Sequence, residues 1–424
     1  METFLTKERL YYRSPTPQLL MAGEIEGAVS EEALRAAIQR AVSRHALLGC
    51  RVLRRDKDVV FTDREAAPAP EIVWGAEPFS WGAAVSAEEK RMFHAENGEL
   101  IRFRVYPAEN GVTLLCSATQ LVCEAESLIW LFRDIMTALA APDADPGTAP
   151  LQLYDPTSVT RRLRLPLATK MMLLTLNGQW KRSERQFDDE EYAALFEKYW
   201  ENRGTGVAEC RFDADETAAL QSWCGEQGIA LGSCIAAAFA LAAEESGVGL
   251  AFSVREDTYE GMGNFATGVS TDFFPSADTG FAERARELHG HFRRKLGDPR
   301  SRCFLLAVMD RMTPSLLDAS YFAAFSGFQN PAAAQAAAMF GLRGSGRGVN
   351  VNCVDTVSIP AEYGGFRLRS LSVVPPLVPG CQRLAGAVIQ DGCLNLTMRY
   401  DIGRAEEMQN CFDKAEATLR RQTA

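Results

Sequence analysis

The sequence predicts an α/β protein built as two domains, and three observations carry that expectation. Apolar runs of strand length alternate with segments in which apolar residues recur every three or four positions, the periods of buried strands and of amphipathic helices. Midway through the first half, an apolar run from Val112 to Cys116 reads as a buried strand and Leu128 to Leu139 as a helix. The short loop between them gathers Thr119, Gln120, Glu124, Glu126 and Ser127. A strand–loop–helix unit with polar groups at the turn is a common seat of enzyme chemistry. Finally, 424 residues suffice for two domains of about 200 residues each.

Composition narrows the function classes. With 47% hydrophobic and 24% charged residues, the chain is ordinary for a soluble globular protein. A net charge of −10 argues against a general nucleic-acid or anionic-membrane binder. Met1 to Lys7 has no apolar core of signal-peptide length, and no apolar run approaches a transmembrane span. The 11 cysteines include no Cys-x-x-Cys pair, which fits free thiols in the cytoplasm better than a disulfide framework. The four histidines, His45, His94, His289 and His291, show no metal-ligating spacing, so no metal site is expected.

Taken in order, Gln18 to Glu26 reads as a strand. Ser30 caps a helix that carries Glu31 and Glu32 in its first turn and Leu34, Ile38, Val42 and Ala46 on its apolar stripe. His45 ends that core-facing helix and reads as structural. Strands follow at Cys50 to Arg54, Val59 to Thr62 and Ile72 to Trp74, a helix at Ala87 to Asn97, and a half-buried strand at Gly98 to Tyr106. After the polar loop, the helix buries Leu128, Leu131, Ile135 and Leu139, with Trp130 packing beside them. Pro142 to Pro150 is a break rich in Pro, Asp and Gly. Arg161 to Arg185 is basic, and its apolar, Met-rich part from Leu165 to Trp180 reads either as a crossover covering a lobe or as a partner, acyl or membrane-surface contact.

In the second half, Val207 to Phe212 is a strand, and Asp213 with Glu216 has capping-box spacing at the start of a helix through Trp223. Ile235 to Ala243 is a close-packing Ala-rich helix and Val248 to Val254 a buried strand. Gly261-Met262-Gly263-Asn264-Phe265 reads as a turn in which the two glycines take positive φ and Asn264 satisfies loop backbone groups. Thr279 to Leu296 and Ala332 to Met339 are helices, with His289 and His291 at or near the surface. Gly341 to Gly348 is a glycine-rich loop without the Gly-Lys-Ser/Thr of a phosphate-binding loop. Val349 to Pro360, Phe366 to Val374, Cys381 to Ile389 and Cys393 to Tyr400 are strands, and Glu406 to Arg421 closes the chain as a helix.

Several of these stretches carry a resemblance. Cys116 to Leu128 resembles the active-site segment of the condensation-domain and acyltransferase superfamily, which includes chloramphenicol acetyltransferases, peptide-synthetase condensation domains and alcohol acetyltransferases. Its signature is His-His-x-x-x-Asp-Gly, followed one residue later by Ser-Leu. Ser127-Leu128 fits the end of it; Thr119 and Gln120 stand at the histidines, Glu124 at the aspartate and Ala125 at the glycine. His45 to Val52 resembles the Arg-His-x-x-Leu-Arg-x-Arg-Phe segment, with Gly49 for the first of the later arginines and Arg51 for the second. Gly98 to Tyr106 resembles the Gly-Pro-Leu-x-Arg strand, and Gly263-Asn264-Phe265 the Gly-Asn-Phe turn that bridges the lobes. Val349 to Pro360 resembles the Val-Ser-Asn-Leu-Gly-x-Val-x-Leu-Pro segment of the alcohol acetyltransferase branch, with Asn352, Cys353 and Asp355 replacing its serine, asparagine and glycine. The resemblance runs from Gln18 to Arg421. It implies an α/β fold of two chloramphenicol-acetyltransferase-like lobes arranged as a V-shaped pseudo-dimer around a central tunnel. The implied division is an N-terminal lobe over 1–160, a crossover over 161–204 and a C-terminal lobe over 205–424.

In that superfamily the second histidine takes a proton from an amine or hydroxyl acceptor, which attacks a thioester borne by coenzyme A or by a carrier-protein pantetheine arm. The aspartate braces the loop. By position, Gln120 is then expected at the reaction centre and Glu124 either as the brace, paired with an arginine, or as a relocated base. Thr119, Ser127, Asn264, Asn352 and Asp355 are the expected substrate contacts, and Arg343 and Arg347 of the glycine-rich loop the expected contacts to coenzyme A phosphates. No cofactor is expected to be permanently bound; acyl-CoA or a phosphopantetheine thioester is the implied co-substrate. A small-molecule donor and acceptor, with an acyl carrier protein as one form of donor, are the implied partners. Gln120 is no base, because an amide does not accept a proton at neutral pH, but it can donate to a developing oxyanion. Losing a general base costs on the order of 10²- to 10⁴-fold in rate, while positioning alone keeps part of the acceleration. Cys123 falls at an apolar position of the motif and reads as inert core. A hydrolase is set aside because no Gly-x-Ser-x-Gly is present. Two classes remain open: an acyltransferase with an altered active site, and a non-catalytic pseudo-condensation domain that binds a ligand or a protein.

Overall fold

Two six-stranded sheets organise the chain. The computed structural model describes residues 2–63, 69–183, 185–275, 278–342, 348–355, 357–378 and 381–423. The first sheet runs, edge to edge, Glu362–Tyr363, Phe366–Val374, Gln18–Glu26, Gly111–Thr119, Ile101–Ala108 and Glu71–Trp74; only the last pairing is parallel. The second runs Ala266–Asp272, Gly247–Ser253, Val349–Val354, Arg383–Gln390, Cys393–Asp401 and Thr205–Phe212, with Val349–Val354 parallel to both its neighbours. Helices Glu31–Arg44 and Ala125–Ala140 share an apolar core with the first sheet. Helices Ala214–Gln227, Leu231–Ala243, Phe281–Gly297 and Ala405–Arg420 do so with the second. The result is the expected two-lobed α/β architecture.

Local chemistry explains the element boundaries. Ser30 Oγ accepts from Ala33 N at 3.2 Å, satisfying a helix-start donor, and the Asp213–Glu216 capping box is closed in both directions at 2.8 and 3.0 Å. Strand Gly111–Thr119 is buried along all but its first residue. One face packs under Ala125–Ala140. The other carries Leu115 into a small cluster with Trp81, Ala84 and Val85, against which Val207 of the second sheet also packs. A strand covered on both faces must be apolar throughout, so its run is continuous rather than alternating. His45 is structural, as its place on the helix implies: it is buried, with Nε2 3.1 Å from Asp134 Oδ2.

Two features differ from expectation. The helix placed at Ala87 to Asn97 lies at Trp81–Glu88, capped by Ser80, with only a short 3₁₀ turn at Ala95–Asn97. The carbonyls that would continue it are taken by tertiary partners. Gln18 Nε2 donates to Glu88 O (2.8 Å) and Arg91 O (2.6 Å), and Arg102 Nη2 donates to Arg91 O (2.9 Å). The second difference is that residues 362–374, late in the chain, complete the first sheet by pairing with Gln18–Glu26. This segment ties the lobes together. Thr397 Oγ1, in the second sheet, donates to Val373 O at 2.5 Å, and a Cβ on Gly386 would stand 2.4 Å from the same oxygen.

The stretch between the lobes forms helices Leu167–Trp180 and Asp189–Trp200, which build a third apolar core with Pro314–Phe325 and Pro331–Met339. Leu173, Leu176 and Trp180 face that core, and Leu167, Met171 and Leu174 are exposed. No single helix among the described residues is long and apolar enough to cross a membrane.

Candidate active site

The loop from Gln120 to Glu124 joins strand Gly111–Thr119 to helix Ala125–Ala140, and tertiary hydrogen bonds hold it at several points. Gln120 N donates to Pro17 O at 2.7 Å, and Gln120 O accepts from Asn264 Nδ2 at 2.7 Å. Thr119 Oγ1 accepts from Leu121 N at 3.4 Å, so its hydroxyl serves the turn. Cys123 is fully buried, its thiol donates to Thr119 O at 3.3 Å, and burial raises its pKa; it is core, as expected.

Arg255 is the centre of the support behind the loop. Its Nε is 3.1 Å from Glu124 Oε1, its Nη1 donates to Gly261 O (2.7 Å) and Tyr259 O (3.1 Å), and its Nη2 donates to Ser127 Oγ (2.5 Å). Ser127 Oγ donates to Gly263 O at 2.6 Å, and Ser253 Oγ donates to Glu124 Oε1 at 3.0 Å. A guanidinium with its donors aimed at one carboxylate and several carbonyls fixes geometry well. Burial pushes the Glu124 carboxyl up, while Arg255 and then Lys7 pull it back. Glu126 is raised to about 7, by burial first and the nearby Glu124 charge second. Of the two roles open to Glu124, this geometry is that of the brace: the carboxylate is buried against Arg255 and does not line the cavity described next.

The Gly261–Phe265 turn makes the other half of the brace, with a correction. Neither Gly261 nor Gly263 has positive φ. Both positions are glycine for lack of room: a Cβ on Gly261 would lie 2.4 Å from the Tyr259 hydroxyl, and one on Gly263 2.5 Å from the Phe265 ring. Asn264 does satisfy loop backbone. Besides its bond to Gln120, its Oδ1 accepts from Ala266 N at 3.1 Å and from Lys7 Nζ at 2.8 Å.

A cavity of about 540 Å³ opens between the lobes, walled by Gln120 from the first and by Ala251, Gly268 and Asn352 from strands of the second. A larger one of about 1110 Å³ shares Gly268, Leu305, Phe340 and Asn350 with it, extending the space along the lobe junction. The expected site residues therefore separate. Gln120 and Asn352 are on the wall. Thr119, Glu124, Ser127 and Asn264 are buried behind it, where they hold the wall in place and are out of reach of a substrate in the cavity. Asp355 is exposed beyond the end of its strand and away from the cavity. Arg343 and Arg347 lie outside the described residues; Gly341, at the start of their loop, lines the cavity.

The sequence reading overlooked Lys7 and Tyr11, which also line the cavity. Lys7 is 2% exposed and donates to Asn264 O (3.0 Å) and Oδ1 (2.8 Å). Burial lowers its pKa to about 8, with Glu8 and Glu124 acting in the opposite sense. Burial raises the Tyr11 phenol. The one available signal was the run of charged residues Lys7-Glu8-Arg9, all three of which are buried.

No protein-family model and no curated protein match the chain. Solved structures match over its whole length. The first condensation domain of the calcium-dependent antibiotic synthetase, in complex with a substrate analogue, aligns at a TM-score of 0.64 and 11% identity, covering 100% of this chain and 97% of that one. The nonribosomal peptide synthetase cyclization-docking bidomain EpoB from Sorangium cellulosum aligns at 0.61 and 15%, covering 100% and 85%. Polyketide synthase associated protein 5 from Mycobacterium tuberculosis aligns at 0.59 and 12%, covering 99% and 97%. The fold is that of condensation domains, as the resemblance implied.

Proposed function

We propose that this protein transfers an acyl group from a coenzyme A or carrier-protein thioester to an amine or hydroxyl acceptor, in a site that has Thr119 and Gln120 at the two histidine positions of the signature it resembles. The observation that carries the reading is the cavity at the lobe junction, with Gln120 on its wall and an intact buried brace behind it. The Gln120 backbone is held on both sides, N to Pro17 O and O to Asn264 Nδ2, which keeps this residue at the wall. In this reading the Gln120 carboxamide donates a hydrogen bond to the thioester carbonyl oxygen, and that bond strengthens as the oxygen gains charge. Asn352, on the facing strand, orients the acceptor. The acceptor's nitrogen or oxygen bonds to the carbonyl carbon, the carbon–sulfur bond breaks, and the acceptor's proton ends on the departing thiol. In this reading 1–160 and 205–424 are the two lobes, joined by 161–204, with Phe366–Val374 pairing back into the first sheet. The reducing cytoplasm suits a chain whose cysteines are all free.

A second reading, a non-catalytic binding domain, is favoured by one fact: no titratable side chain of the 119–127 loop lines the cavity. Product analysis by mass spectrometry separates the two. The purified protein is offered acyl-CoA and acyl-pantetheine donors with pooled amines and alcohols. Acylated product is expected from the native protein, reduced about 10²- to 10³-fold in Gln120→Ala through loss of an oxyanion donor. Donor binding without product in every pool supports the binding domain instead.

A further inference from the structure

Acyl transfer from a thioester is accelerated by a group that takes the acceptor's proton, and no titratable side chain of the loop lines the cavity. Another lining residue of the same cavity, Lys7, supplies such a group. Lys7 lies in the turn before the helix Arg9–Tyr12, buried, and is one of the residues that line the cavity. Among the described residues its hydrogen bonds go to Asn264, to the backbone O at 3.0 Å and to Oδ1 at 2.8 Å. A neutral amine has two N–H donors and one lone pair, so two acceptors on one residue satisfy its donors and leave the lone pair free. An ammonium would carry a third donor with no acceptor at Asn264. The charged and titratable neighbours are Glu8, Glu124 and Tyr11, whose ring centroid is 6.0 Å from Nζ; neither carboxylate forms an ion pair with it among the described residues. Through Asn264, the amine is also tied to the reaction wall. Nδ2 of the same side chain donates to the backbone O of Gln120 at 2.7 Å, so one residue holds both the lysine amine and the Gln120 backbone.

We propose that Lys7 is the general base of the cavity: its neutral amine takes the N–H or O–H proton of the acceptor as that atom attacks the thioester carbonyl. The inference rests on the acyl-transfer reading above. The lysine then gives the proton to the departing sulfur as the carbon–sulfur bond breaks, and returns to the neutral amine. The folded protein has already lowered the proton affinity of this group to about 8, so a useful fraction is neutral near physiological pH and the group is matched to proton transfer there.

The test is the pH profile of kcat/KM for the full-length protein, using a donor–acceptor pair found by product analysis. The native profile is expected to fall as pH drops through about 8. Lys7→Met loses on the order of 10²- to 10⁴-fold together with that limb. Lys7→Arg is equally slow, because a guanidinium stays protonated. Lys7→Ala regains turnover when small alkylamines are added, which a structural role alone would not produce, and far-UV circular dichroism checks that each variant is folded. A native rate and an unchanged pH limb in folded Lys7→Met overturn the Lys7 role while acyl transfer stands. An acyl group found on Lys7 itself also overturns it, because the residue is then a nucleophile. A native protein silent with every pool overturns the acyl-transfer reading, and the base with it.

Discussion

Arg255→Ala is expected to lower the stability of the protein by about 3–5 kcal/mol, the usual result of removing one partner of a buried ion pair. Glu124 would be left as a carboxylate with 4% of its side chain exposed and no cation in contact. The carbonyls of Tyr259 and Gly261 would lose their guanidinium donor, and Ser127 Oγ would lose one of its partners. Water cannot easily replace those donors behind the cavity wall. Arg255→Lys is a poor substitute, since one ammonium does not span the carboxylate and the carbonyls together. A double variant, Arg255→Met with Glu124→Leu, is expected to regain part of the loss, because the isolated charge is what is expensive. Urea unfolding of the three variants measures this. A loss for Arg255→Ala of under about 1 kcal/mol, the range of an exposed pair, would show that the brace contributes no more than a surface contact.

Lys7 gives the second large effect, and its sign follows from which state binds more protons. The folded pKa is about 8 and the ordinary value is 10.5. Below 8 both states are protonated, and the fold carries the whole cost of a buried ammonium. Between the two values the unfolded chain holds the proton and the folded chain does not, so native stability rises with pH; above 10.5 both are neutral and the cost is gone. The lowering corresponds to about 3 kcal/mol. Lys7→Met lacks this titration. The stability of the native protein relative to Lys7→Met should therefore be flat up to neutral pH and then climb by about 3 kcal/mol toward pH 10.5. Guanidinium unfolding of both proteins across that range reads the difference, and a constant difference would place Lys7 in a solvated, ordinary setting.

How much of this was legible in the sequence depends on the range of the interaction. Ser30 and the Asp213–Glu216 box mark their helix starts because capping is local. The placement of the helix near residue 88 fails because Gln18 and Arg102, remote in sequence, take the carbonyls a longer helix needs. The Phe366–Val374 strand is visible as a strand, but nothing local says that it pairs with Gln18–Glu26 in the other lobe. The same limit governs the site. Motif position brings Gln120 and Asn352 to the cavity wall. It does not separate residues that face the cavity from those that hold the wall, so Thr119, Ser127 and Asn264 looked alike with them. Asp355 shows how quickly position loses meaning once a strand ends. Lys7 reaches Asn264 across 257 residues of sequence, a contact that only the assembled lobes create.

If the acyl group is transferred in the lobe-junction cavity, filling that cavity should abolish the reaction. Ala251 tests this most directly: it lines the cavity from the second sheet and takes no chemical part in the proposed reaction. Acylated product should be quantified by mass spectrometry for the native protein and for Ala251→Trp, with urea unfolding to confirm that the variant is folded. The indole should fill the space, and product should fall to background in a folded protein. Product at the native rate from the filled variant would contradict it, because the reaction would then be taking place somewhere else.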